Sequence, residues 1–196
     1  EEPVSGLGIY GYWLNAKTVK DKGIKVMLSG EGGDEAFGGY KHYYYHRFSD
    51  LYDQKNFNEL KKEIEAFNKI NEDSIKIDSN FGEFIKKKTG FGVMKASDGT
   101  MMDSNYLSFD FAGQFSERTI QPKRKFTESL RDAMYNDLFS FKIPKLLRFQ
   151  DKTAMAWSVE SRVPFLDHTL IELMFRLPSR YLLKEGINKY LFRVIA

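Results

Sequence analysis

Residues 24–40 read Ile24-Lys25-Val26-Met27-Leu28-Ser29-Gly30-Glu31-Gly32-Gly33-Asp34-Glu35-Ala36-Phe37-Gly38-Gly39-Tyr40. The first five are a short apolar run of strand character. The twelve that follow hold five glycines and three acids. Just upstream, Leu7 to Lys22 reads as a helix: Leu7, Tyr10, Leu14 and Thr18 recur at helical spacing, and Gly23 can close it in the left-handed conformation. A helix, a strand and then a glycine loop is the order in which α/β domains build a site at the carboxyl end of a strand.

A glycine-rich loop after a strand suggests phosphate cradled by backbone amides. Glu31, Asp34 and Glu35 would repel bare polyphosphate, so the loop makes chemical sense if Mg²⁺ bridges carboxylate and phosphate oxygens. A second carboxylate, free of metal, could then accept a proton. The same residues could instead form an acidic turn capping a helix that begins at Asp34. On the residues alone both readings stand.

Outward from the loop, Asn56 to Ile70 carries Phe57, Leu60, Ile64 and Phe67 on one face and Lys and Glu opposite, the pattern of an amphipathic surface helix. Periodicity weakens from Asn71 to Gln121, where Asp78-Ser79-Asn80, Lys86-Lys87-Lys88-Thr89-Gly90 and Ser97-Asp98-Gly99 are turn or loop signals. Residues 48–125 thus read as a variable helical and loop insertion. Beyond Phe126, Thr127 is expected to cap a helix to about Phe141, and Pro144 suits the first turn of another reaching Trp157. Residues 161–165 must be extended before Pro164. Asp167 is the expected N-cap of a helix from His168 to Arg176, and Asn188 that of the last helix.

Leu146 to His168 sets Arg148, Asp151, Lys152, Glu160, Arg162 and Asp167 among apolar residues. Such interleaving suggests partly buried ion pairs, with a structural staple favoured over a site wall. His42 and His46 stand four apart on an expected helix, where packing with Tyr43-Tyr44-Tyr45 explains them better than metal binding. Lys86-Lys87-Lys88 and Lys123-Arg124-Lys125 are too short to indicate nucleic acid. His168 beside Asp167 reads as a helix N-terminus rather than an acid–base pair.

With 196 residues, 17 Phe and 11 Tyr, the chain can bury one real core. A net charge of +3 with scattered lysines gives no reason to expect nucleic acid or a membrane surface as partner. No Cys is present, which removes disulfides, zinc thiolates and a Cys nucleophile. No run of about 18 apolar residues occurs, and a cytoplasmic protein is the default expectation. Glu1 and the apolar stretch Leu191 to Ala196 read as cut ends.

Taken together, these segments resemble the asparagine synthase family. Residues 26–40 are similar to its Ser-Gly-Glu-Gly-Ala-Asp-Glu-Leu-Phe-Gly-Gly-Tyr motif, and residues 146–168 to its second long signature. Glu1-Glu2-Pro3 resembles its Asp-Glu-Pro, and Gly186-Ile187-Asn188-Lys189-Tyr190-Leu191-Phe192-Arg193 its Gly-x-x-Lys-Tyr-x-x-Arg. The resemblance implies a partial adenine-nucleotide α-hydrolase-like domain of ATP-pyrophosphatase, Rossmann-like type. It implies ATP and Mg²⁺ as cofactors and aspartate as acceptor. Ammonia would come from glutamine hydrolysed in a separate glutaminase domain, and a homodimer is compatible with it. Carried over by position, Ser29 and Gly30 would lie near the nucleotide or acyl-adenylate, Asp34 would bind Mg²⁺, and Glu31 would be the base.

Gly33 stands for the family's Ala and Ala36 for its Leu, both mild departures. The glutaminase Cys, the pyrophosphate-binding Ser-Gly-Gly-x-Asp-Ser loop and a lysine downstream of the Lys-Tyr-x-x-Arg segment are all missing from these 196 residues. A piece lacking them is expected to be inactive alone. Two other readings stay open: a Mg²⁺–nucleotide or partner-binding module without turnover, and a relative that amidates another carboxylate such as a sugar acid. Glu31 favours the amide-forming branch, because ring-closing relatives carry a Tyr there.

Overall fold

The structure is a computed structural model and describes residues 7–89 and 124–196. The Glu1–Pro3 match, the turn signals at 97–99 and Lys123 lie outside the described residues. Within them the chain is a helix-rich α/β assembly around a small parallel sheet. In order it forms α1 (Gly8–Asp21), β1 (Val26–Leu28), α2 (Gly33–Phe37), α3 (Tyr43–Asp53), α4 (Phe57–Asn71) and α5 (Phe81–Thr89). From residue 124 onward come α6 (Ser129–Asn136), a π-helical turn (Asp137–Phe141), α7 (Ile143–Met155) and β2 (Glu160–Arg162). A 3₁₀ turn (Pro164–Leu166), α8 (His168–Arg176), a second 3₁₀ turn (Ser179–Tyr181) and α9 (Tyr190–Ile195) complete it.

β1 and β2 pair in parallel, with Met27 opposite Ser161. The ladder continues at each end, through Glu160 N–H to the Lys25 carbonyl and Ser29 N–H to the Arg162 carbonyl, both at 2.8 Å. Both strands therefore end on the same side, where the glycine loop begins. α1 runs to Asp21 and turns at left-handed Gly23, as its sequence predicts. Its buried side is not the Leu7, Tyr10 and Leu14 stripe. Leu7, Tyr10 and Leu14 are exposed, while Ile9 and Ala16 are buried and Trp13 stands edge-on to Trp157 at 4.8 Å. Two apolar stripes at helical spacing occur on this helix, and packing against α7 selects the second.

The main core lies away from the sheet, among α3, α4, α5, α6 and the 182–183 segment. Tyr43, Tyr44, Phe48, Leu60, Phe67, Leu130, Met134, Leu182 and Leu183 are all fully buried there. α4 starts at Asn56, whose side chain accepts the Glu59 amide and so caps the helix, while its own amide group donates to the Glu59 carboxylate and holds the cap in place. Its Leu60, Ile64 and Phe67 stripe is in the core, whereas Phe57 is half exposed.

Two expected caps are replaced by contacts from distant elements. Thr127 does not cap α6; Asp50 of α3 accepts the Ser129 and Leu130 amides at 2.6 and 3.1 Å. Asn188 does not cap α9; its side chain donates to the Gly39 carbonyl at 2.7 Å. Asp167 does cap α8, accepting from Thr169 and Leu170 amides. At the far end of α8, Arg131 donates to the Met174 and Leu177 carbonyls, which otherwise have no helical partner. No helix among the described residues is long and apolar enough to cross a membrane.

His46 is buried on α3, with Nδ1 2.8 Å from Ser129 Oγ. Burial pushes its pKa from 6.5 down to about 4, aided by His42 and opposed by Asp137. The unfolded chain therefore takes up the proton first, so stability present above the ordinary value is lost as pH falls from about 6.5 towards 4. Urea unfolding at pH 7 and pH 5 is expected to show wild type losing roughly 2 kcal/mol more than His46→Gln over that interval. Equal losses would show that His46 titrates normally.

Candidate active site

The loop leaves β1 at Ser29, whose amide is held by β2, and Gly30 beyond it is exposed. α2 begins at Gly33 behind a left-handed Gly32, and no side chain caps it. The helix-cap reading of Asp34 is thus not realised. Each of the three acids has a different partner instead. Glu31 Oε1 accepts from the Tyr12 hydroxyl of α1 at 2.5 Å. Asp34 Oδ1 pairs with Lys189 Nζ at 2.9 Å, both side chains remaining partly exposed. Glu35 turns inward, almost wholly buried, and accepts from the Tyr40 hydroxyl at 2.6 Å.

Gly39 makes the Asp34–Lys189 pair possible. A Cβ there would stand 1.8 Å from Asp34 Oδ1 and 2.6 Å from Lys189 Cε. A side chain at this position would displace the carboxylate and ammonium from where they meet over the loop's closing turn.

Beneath Glu35 lies a buried polar layer. Asp137 Oδ2 accepts from the Tyr43 hydroxyl at 2.7 Å and pairs with Lys142 Nζ at 3.1 Å, while His42 Nε2 approaches to 3.4 Å. Lys142 also sits 3.6 Å above the Tyr40 ring centroid, a cation–π contact that ties this layer to the loop. Burial pushes the Asp137 carboxyl up, but His42, the Lys142 charge and the Tyr43 hydroxyl outweigh it and hold the group low. Glu35 goes the other way: burial dominates and raises it despite the Tyr40 bond and the Lys142 charge.

The four residues singled out from sequence, Ser29, Gly30, Glu31 and Asp34, share one loop at the carboxyl ends of both strands. Among the described residues no group of three or more His, Cys, Asp or Glu could enclose a metal. Asp34 nevertheless offers a hard, half-exposed oxygen donor, suited to Mg²⁺ that takes one carboxylate and completes its shell with phosphate and water oxygens. Tyr12, Lys189, Tyr40 and Lys142 were not identified from sequence. Lys189 belongs to the Gly186–Arg193 motif, which by itself gives it no role, and Tyr12 gains meaning only through Glu31.

The segment 146–168 corrects an expectation. Its charges are not buried: Arg148, Asp151, Lys152, Glu160, Arg162 and Asp167 are all exposed, and Arg162 pairs with Glu160 at the surface. Its apolar members approach the loop instead, with Phe165 and Leu166 packed against Gly33 and Gly32. His42 and His46 rings stand 6.3 Å apart, and each has its own partner in Asp137 or Ser129. Lys88 lies over the Tyr45 and Phe84 rings.

The family model for asparagine synthase matches residues 1–196. The chain is 27% identical over 209 residues to asparagine synthetase [glutamine-hydrolyzing] 1 of Bacillus subtilis, covering 100% of this chain and 31% of that protein. It is 25% identical over 201 residues to a putative asparagine synthetase [glutamine-hydrolyzing] of Mycobacterium tuberculosis, covering 98% and 30%. It is also 27% identical over 224 residues to the amidase chyE of Penicillium rubens, covering 97% and 33%. The chain thus spans about a third of the length of these relatives. No solved structure matches it significantly.

Burial pushes the Tyr12 phenol well up, reinforced by its bond to Glu31 and by the charges of Glu31 and Glu35. Glu31→Gln removes the nearest charge, so Tyr12 is expected to ionise at lower pH. A ¹³Cζ-tyrosine NMR titration of wild type and variant measures this directly. An unmoved Tyr12 resonance would show that the two groups are not bonded.

Proposed function

The chain belongs to the asparagine synthase family, and on that premise we propose that it supplies part of an ATP-dependent ligase site. In the intact protein the side-chain carboxylate of aspartate would be adenylated and then aminated to asparagine by glutamine-derived ammonia. The observation carrying this reading is the division of labour in the loop: Asp34 is paired with a flexible cation and Glu31 with a neutral hydroxyl. One carboxylate is thereby suited to metal and phosphate, and the other to protons.

Asp34 would hold Mg²⁺, which when bound screens the charge on the departing pyrophosphate. Lys189 balances Asp34 and, exchanging partners, would reach a phosphate oxygen with its ammonium group. Ser29 and the exposed Gly30 border the space where nucleotide or acyl-adenylate would lie. Glu31 accepts the proton lost as ammonia attacks, and the Tyr12 hydroxyl fixes the rotation of its carboxylate for that task. Glu35, buried and bonded to Tyr40, takes no direct part.

We read β1 and β2 as neighbouring strands of a larger parallel sheet of the ATP-pyrophosphatase type. Val26 and Leu28 are 39% and 75% exposed, whereas parallel strands are ordinarily covered on both faces. Leu7, Tyr10 and Leu14 of α1 likewise present apolar surface outward. The remainder of the intact protein, including a glutaminase domain, would cover it and supply the ammonia.

A second acceptor is favoured by one observation: identity to the amidase chyE, at 27%, equals that to the B. subtilis synthetase. Acids other than aspartate therefore belong in the assay.

Acid-dependent exchange of labelled pyrophosphate into ATP, measured on the intact protein beside amide formation, tests the roles separately. Asp34→Asn is expected to lower both by about 100-fold or more. Glu31→Gln is expected to leave exchange within a few-fold while amide formation falls roughly 100-fold or more. Unchanged exchange in Asp34→Asn removes the metal role, and equal losses in Glu31→Gln remove the base. Exchange driven by another acid but not by aspartate reassigns the acceptor.

A further inference from the structure

Lys189 does not sit on a regular element. Its φ is +53°, in the left-handed region, and Glu185 four residues earlier is also left-handed at +52°. Non-glycine residues hold such conformations only where the surroundings over-determine them. The surroundings here come from α3 and α4, outside the four segments that resemble the family.

Gly186, with φ +75°, lies flat on α4: a Cβ would stand 2.7 Å from the Ala66 carbonyl oxygen and 2.9 Å from the Phe67 nitrogen. These are backbone atoms in the middle of a helix and cannot step aside. The Tyr44 hydroxyl of α3 donates to the Ile187 carbonyl at 3.2 Å. Glu63 of α4 is buried and faces the amides of Glu185 and Gly186. Burial pushes its carboxyl up, while Arg47 and those two amides pull it down without prevailing. Lys184 and Ile187 close the turn by exchanging backbone hydrogen bonds, and Asn188 then reaches the Gly39 carbonyl. Lys189 emerges from this turn directly onto Asp34.

We propose that the α3–α4 pair is the platform that aims Lys189 at the phosphate site, with Gly186, Glu63 and Tyr44 as positioning residues. The inference rests on the reading of Lys189 as a phosphate-binding cation. It assigns a task to helices that carry no recognisable motif: they fix the turn's backbone so that one lysine reaches the glycine loop. Tyr44 and Glu63 contact the turn's main chain and Gly186 seats that main chain on α4; none touches the Lys189 side chain, so each acts on placement and leaves the charge unchanged.

Calorimetric titration of magnesium pyrophosphate into the intact protein, with thermal unfolding recorded alongside, tests this. Lys189→Gln, Gly186→Ala and Glu63→Leu are each expected to weaken binding about tenfold. Glu63→Gln retains an oxygen facing the two amides and is expected to bind within about threefold of wild type. Wild-type affinity in Gly186→Ala and Glu63→Leu, with Lys189→Gln weakened, would overturn the platform. Wild-type affinity in Lys189→Gln would instead remove the phosphate role of the lysine itself. Should Glu63→Leu not fold, Tyr44→Phe decides: roughly threefold weaker binding is expected from loss of one buried hydroxyl, and unchanged binding overturns the proposal.

Discussion

Three carboxylates within five consecutive residues repel one another, and the organisation of this site follows from how that repulsion is relieved. Glu31, Asp34 and Glu35 are each given a partner from a different part of the chain: a hydroxyl on α1, an ammonium on the turn before α9, and a hydroxyl at the loop's own end. None of the three partners is adjacent in sequence to the acid it serves. The three acids are therefore held apart by contacts that only the assembled fold supplies, and any change that moves α1 or the 184–189 turn alters the arrangement among them. A similar logic governs the layer below, where buried Asp137 and Glu35 flank Lys142 and the Tyr40 ring.

The π-helical turn fits this arrangement. Its Lys142 amide bonds back to the Asp137 carbonyl five residues earlier, and this spacing allows the Lys142 side chain to meet both the Asp137 carboxylate and the Tyr40 ring. Such insertions commonly accompany functional sites. Here the turn puts charge beneath the loop without exposing it. Asp137 Oδ2, the Tyr43 hydroxyl and Lys142 pair with one another in this buried layer, so the loop rests on a base held by the fold beneath its two outer carboxylates.

What the sequence made legible was local. The strand, the glycine loop, the Asp167 cap and the α4 stripe each depend on residues close together, and each was found where local chemistry puts it. The buried face of α1 is not legible locally, because two stripes compete on that helix and only contact with α7 decides between them. The caps of α6 and α9 were misread for a different reason. Asp50 lies 79 positions from Ser129, and Asn188 lies 149 from Gly39, so no nearby pattern signals either bond. Tyr12 and Lys189 escaped on the same ground: each gains meaning only through an acid in another element. Glu35 was indistinguishable from its two neighbours until the packing of α2 turned it inward.

The central claim is that the loop divides metal and proton work between Asp34 and Glu31, with Lys189 exchanging partners as phosphate arrives. Anomalous diffraction from crystals of the intact protein soaked with Mn²⁺ and pyrophosphate tests it most directly. The account predicts one anomalous peak about 2.1 Å from an Asp34 carboxylate oxygen, Lys189 turned from Asp34 to a phosphate oxygen, and Glu31 still on Tyr12. A peak bound away from the loop, or an Asp34–Lys189 pair left intact beside bound pyrophosphate, would contradict it.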